Sequence, residues 1–118
     1  MKRVQRKRTK GWKMPKNTKY VGRPTRFGNP FKLTPDGWVM CYSTNRKILD
    51  PWIYWSATGG FSLTDIVELY ERWSKGELHE HSCLPTPPDI EELRGLDLAC
   101  FCSLSSPCHA DILIKLLT

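Results

Sequence analysis

Hydrophobic and polar positions follow two different periods along this chain. In the segment after Ser62, the residues Leu63, Ile66, Val67, Tyr70 and Trp73 recur at helical spacing. Ser62 supplies a capping hydroxyl, Asp65 stands at the third helical position, and Phe61 is placed to staple against Ile66. Gly76 ends the pattern. Leu96–Cys102 (LDLACFC) is instead a short apolar run of strand length, as in a buried strand. Thr18–Arg23 (TKYVGR) predicts another strand, because Tyr20 and Val21 favour a pleated surface and Gly22 and Pro24 stop it. A final helix is expected over His109–Leu117, with Ile112, Leu113, Leu116 and Leu117 as its apolar face. Ser106 is its expected N-cap and Pro107 its first residue, since proline is tolerated there. Asp89–Arg94 reads as a short helix, and residues 77–88 as a linker holding three prolines, His79, His81 and Cys83. Residues 34–60 carry Trp38, Tyr42, Trp52, Tyr54 and Trp55 and are compatible with a hairpin, Trp38–Tyr42 being one arm and a turn lying near Asn45. Strand, helix, strand, helix predicts a small, layered α/β fold of Rossmann-like type, with a short mixed or parallel sheet and flanking helices.

Composition narrows the class. The chain has 118 residues, 40% hydrophobic and 25% charged, which suits one globular domain. We expect a basic arm over residues 1–16, irregular in structure, and a single domain over 17–118 with an aromatic-rich insertion at about 34–60. No apolar stretch nears the roughly 20 residues of a membrane span, and the basic N-terminal stretch lacks the apolar core of a signal peptide. A cytoplasmic protein without a membrane partner is the expectation. The five cysteines are odd in number, so reduced thiols are expected.

Charge is distributed unevenly. Residues 1–32 hold twelve Lys/Arg and no acid, whereas residues 33–118 hold the remaining six bases and all twelve acids. A basic arm on an acidic body suits a polyanionic partner or a solvated terminus.

The chemistry-bearing residues concentrate in two loops. With Ser106 as cap, Cys108 and His109 fall in the first turn of the last helix, where free backbone N–H groups and the dipole favour anions and lower a cysteine pKa. Ser103, Ser105 and Ser106 add donors to that loop. If the two strands run parallel, the Arg23–Phe31 loop leaves the same end of the sheet, where ligands of α/β folds bind. Arg23 and Arg26 would then neutralise a phosphate and Asn29 would orient it, with Thr25, Gly28 and Cys102 completing the wall. In a reaction, His109 would act as acid or base, or Cys108 as nucleophile. Cys100, inside its strand, reads as a small core residue. The competing reading is zinc on Cys100, Cys102, Cys108 and His109, three sulfurs and a nitrogen. Its spacing is poor, because C-x-C and an adjacent Cys-His pair differ from the usual knuckle. His79, His81 and Cys83 are donors for a different site. No other cofactor is expected, and no Walker loop, dinucleotide-binding glycine motif, HExxH or GxSxG is present.

Two blocks, RKRTKGWKMPKNTKYVGRPTRFGNPF (6–31) and LRGLDLACFCSLSSPCHADILIKLL (93–117), resemble the small bacterial and phage family catalogued as domain of unknown function 4326. The IVELYERW segment (66–73) is similar to that family's middle helix. The resemblance implies a compact α/β domain and no settled reaction. It implies as hallmark positions Gly22, Arg23, Pro24, Gly28, Asn29 and Pro30 in the first block. In the second it implies Cys100, Cys102, Pro107, Cys108, His109 and Asp111. The chain departs from the pattern in a longer 34–60 segment and in Phe27 and Phe101, where tryptophan is expected.

The expected function is binding, with or without processing, of a nucleotide, a nucleotide derivative or a nucleic-acid end between the Arg23–Phe31 loop and the Ser103–His109 helix start. The alternative is a non-enzymatic nucleic-acid or protein-interaction module that uses the basic arm, stabilised by zinc if the thiols bind it.

Overall fold

The computed structural model describes residues 1–23, 25–43, 52–78 and 84–118. Its elements are β1 (Arg3–Gln5), β2 (Thr18–Tyr20), β3 (Phe31–Leu33), β4 (Val39–Tyr42), β5 (Trp52–Tyr54), α1 (Leu63–Ser74), a 3-10 turn (Glu91–Leu93), β6 (Asp97–Cys100) and α2 (His109–Leu117). The strands form two three-stranded sheets, one parallel in the order β1-β6-β2 and one antiparallel in the order β3-β4-β5. With two helices they make a small α/β protein. The chain divides into two compact units, residues 1–28 with 88–118 and residues 29–87.

The first unit is built on β6. Leu98, Ala99 and Cys100 are all buried, as befits a central strand covered on both faces. β2 pairs with it in parallel, Thr18 opposite Asp97 and Tyr20 opposite Ala99. β1 pairs on its other edge, Arg3 opposite Leu98 and Gln5 opposite Cys100. The first residues, read from sequence as irregular, thus include a strand. Its pattern RVQ is too short and too polar to announce itself, and the partner that orders it lies far along the chain. α2 packs on β6 and β1. Its buried face is His109, Ala110, Leu113 and Leu117, so the helix is rotated from the expected face and Ile112 and Leu116 are only half-buried.

The second unit packs α1 on β3. Ser62 and Asp65 form the expected capping box, the Ser62 N–H donating to Asp65 Oδ2 over 2.8 Å. Ile66, Tyr70 and Trp73 form the buried stripe. Gly76 has φ 77° and closes the helix, its N–H donating to Trp73 O while Glu77 N–H reaches Arg72 O. The antiparallel sheet is tied by edge-to-face rings, Trp38 on Tyr54, Tyr42 on Trp52 and Phe31 on Trp55. β4 and β5 realise the hairpin, and the turn near Asn45 lies outside the described residues. β3 is a strand where the sequence reading placed none.

Candidate functional site

In the first unit, three parallel strands release their chains at one end. Arg6 N–H donates to Cys100 O (2.8 Å) and Val21 N–H to Ala99 O (2.9 Å), carrying the pairing just past the strands. The segments from Arg6, Val21 and Phe101 onward therefore leave together, at the carboxyl end where α/β folds place ligands.

Three thiols meet there. Cys100 closes β6, Cys102 follows two residues later, and Cys108 is the N-cap of α2. Their sulfurs all lie within 4.8 Å of one another, and those of Cys100 and Cys102 are 3.6 Å apart. All three are free thiols. The cap differs from the expected one: Ser106 N–H closes a turn onto Ser103 O, leaving Pro107 outside the helix, and Cys108 caps without a side-chain hydrogen bond. The turn engages the Ser106 N–H before the helix can begin.

The thiols are electrostatically unequal. A hydrogen bond from the Cys108 thiol holds Cys100 down at about 5, helped by Cys102 and opposed by burial. The same bond, with burial, pushes the Cys108 thiol far up. Burial and the neighbouring Cys100 sulfur raise Cys102. His109 is buried, which lowers its pKa and favours the neutral ring. Its Nε2 lies 2.8 Å from Val21 O. A carbonyl only accepts, so Nε2 carries the proton and the Nδ1 lone pair faces Cys108 Sγ at 3.7 Å.

Cations border the thiols. Arg3 is spread beneath the 103–106 loop: Nη1 donates to Ser106 O (2.9 Å) and Asp111 Oδ2 (3.0 Å), and Nη2 to Ser103 O (3.0 Å) and Leu104 O (2.6 Å). Its side chain is only 8% exposed. The Arg6 guanidinium lies over Tyr20 (4.5 Å) and Phe101 (5.3 Å), and that of Arg8 over Phe101 (4.4 Å). Tyr20 in turn meets Phe101 edge to face and donates its hydroxyl to Arg23 O over 2.6 Å. Gly22 makes this fold-back possible, because a Cβ there would stand 2.5 Å from the Tyr20 hydroxyl oxygen. Desolvation lowers the Arg23 pKa, countered by the thiol charges of Cys100 and Cys102, and the group stays cationic.

The remaining expected residues are distributed as follows. Thr25 turns its hydroxyl onto Gly22 O (2.6 Å), and Gly28 N–H onto Thr25 O (2.9 Å), so both shape the loop after β2. A Cβ on Gly28 would press the Arg23 backbone at 3.1 Å. Arg26 forms an ion pair with Glu92 and lies over Phe27. Asn29 belongs to the second unit, where Oδ1 accepts from Phe31 N–H (2.9 Å). Ser103 and Ser105 are exposed and bonded to each other at 2.9 Å. Pro24, His79, His81 and Cys83 lie outside the described residues.

Sequence reasoning passed over Arg3, Arg6 and Arg8 as individual contributors. Their partners lie across the chain, and only the density of basic residues pointed to the arm. It also read Cys100 as core; the residue is buried, yet the i, i+2 spacing to Cys102 already put both sulfurs on one side of an extended segment.

The family model described as Domain of unknown function (DUF4326) matches residues 4–118. Comparison with curated proteins and with solved structures returned no match.

Proposed function

The chain belongs to the DUF4326 family, whose description names no activity, and we propose from its own chemistry that it binds a phosphate-bearing ligand at the carboxyl end of the parallel sheet. The ligand class is a nucleotide, a nucleotide derivative or a nucleic-acid end. The observation that carries this reading is the clustering of Arg6 and Arg8 over Phe101, just past the ends of β1 and β6, with Arg23 following the end of β2. A guanidinium lying over a ring keeps its N–H edge for a phosphate oxygen. The twelve bases and absence of acids in residues 1–32 add a field that draws polyanions. In this reading Arg3, Thr25, Gly22 and Gly28 shape the two loops. Cys108 and His109, both buried, hold the start of α2.

The test is an equilibrium titration of the full chain with a 5′-phosphorylated single-stranded oligonucleotide and with a nucleoside monophosphate over a salt series. Affinity is expected to fall as salt rises. Arg6→Ala and Arg8→Ala should each cost roughly three- to tenfold at low salt and flatten the oligonucleotide slope by about one. Melting should move by less than about 0.5 kcal/mol equivalent. Binding indifferent to both variants and to salt would remove the proposal.

A further inference from the structure

We propose that Cys100, Cys102 and Cys108 hold one zinc ion. The inference stands apart from the phosphate reading, because it rests on the sulfur geometry alone. Zinc thiolate bonds are about 2.3 Å long, so two sulfurs on one tetrahedral ion stand about 3.8 Å apart. Cys100 and Cys102 are 3.6 Å apart, and all three sulfurs fall within 4.8 Å, which leaves at most about an ångström of closure. The same distance is far beyond the roughly 2.05 Å of a disulfide, so the pair is a dithiol in this geometry.

His109 borders the cluster on the Cys108 side. Donation of Nε2–H to Val21 O sets the ring's orientation and turns Nδ1 toward Cys108 Sγ. The unfavourable spacing in sequence is met in space by three different supports: a strand end, the residue after its neighbour, and a helix cap. Sulfur donors select zinc over magnesium or calcium, and a cluster of iron and sulfide ordinarily takes four cysteines. Coordination turns the three cysteine sulfurs into zinc thiolates, and whichever protons they still carry pass to water. The resulting anionic centre lies beside Arg23, and its 103–106 loop is pinned by Arg3.

The experiment is metal analysis and native mass spectrometry of the full chain purified under reducing, chelator-free conditions. One zinc per chain is expected, removed by a strong chelator and restored by zinc alone. Cobalt(II) loaded in its place should show thiolate-to-cobalt absorption and the intense visible bands of a tetrahedral ion. Cys102→Ser, at the least buried of the three thiols, should weaken zinc binding by at least roughly 100-fold, more than the loss of an outer-shell partner. Cys41→Ser, in the second unit, should retain one zinc. Absence of zinc after purification together with no uptake of zinc or cobalt under reducing conditions would overturn the inference. Should Cys102→Ser fail to fold, the cobalt spectrum of the unaltered chain still decides. Zinc without oligonucleotide binding sinks the phosphate reading alone, and oligonucleotide binding without zinc sinks this inference alone.

Discussion

The two units solve the same problem, ordering very short strands, on similar apolar cores but with different additions. The second unit uses hydrocarbon: three edge-to-face ring pairs tie its antiparallel strands, and Tyr70 and Trp73 bury the helix. The first unit also buries hydrocarbon, Val21, Leu98, Leu113 and Leu117 among it, and adds a cluster of polar and sulfur groups at one end of its sheet. Its sheet consists of strands of three or four residues, and Arg3, three thiols and a buried histidine cluster where those strands end. Rings lose little when nothing binds to them. Buried thiols and a buried guanidinium are costly unless each is satisfied.

That contrast can be broken experimentally, beginning with the largest effect. Stripping metal with a chelator should destabilise the first unit by about 4 kcal/mol or more for zinc held at 1,000 times its Kd. Hydrogen exchange should then quicken over residues 97–100 and 109–117 and stay slow over 63–74. Tyr70→Ala should cost about 3–4 kcal/mol in thermal or denaturant unfolding, through the cavity left at a fully buried ring, with zinc content unchanged. Arg3→Ala should cost about 2 kcal/mol, because Ser103, Leu104 and Ser106 carbonyls lose their donor, and zinc affinity should fall with it. Ser62→Ala removes the capping box and should cost about 1 kcal/mol, with oligonucleotide and zinc binding untouched.

Legibility in the sequence followed the range of the interactions. α1 and its box were readable because every signal lies within a few residues: Ser62, Asp65, the apolar stripe and Gly76. α2 was bounded correctly by its apolar period, whereas its cap was misplaced, since Ser106 is captured by a turn to Ser103 that only the folded loop reveals. β6 and β2 were visible, and their parallel pairing was the expectation that brought the two loops to one end. β3 was missed although Thr34-Pro-Asp-Gly is a turn signal: Gly37 takes φ 82°, and Thr34 N–H donates to Trp38 O over 2.8 Å. β1 and Arg3 were not readable, because Arg3 bonds to residues about 100 positions away. Arg26 and Asn29 looked like ligand contacts by residue type; in the structure Arg26 pairs with Glu92, and Asn29 braces the backbone of Phe31.

The most direct test of where the chemistry lies is a hydrogen-exchange footprint of the full chain with and without a 5′-phosphorylated single-stranded oligonucleotide at low salt. We expect protection over residues 6–8, 20–26 and 101–109, with residues 31–42 and 52–74 unchanged. Protection confined to the antiparallel sheet and α1, with the three loops unaffected, would contradict the account and move the binding surface to the second unit.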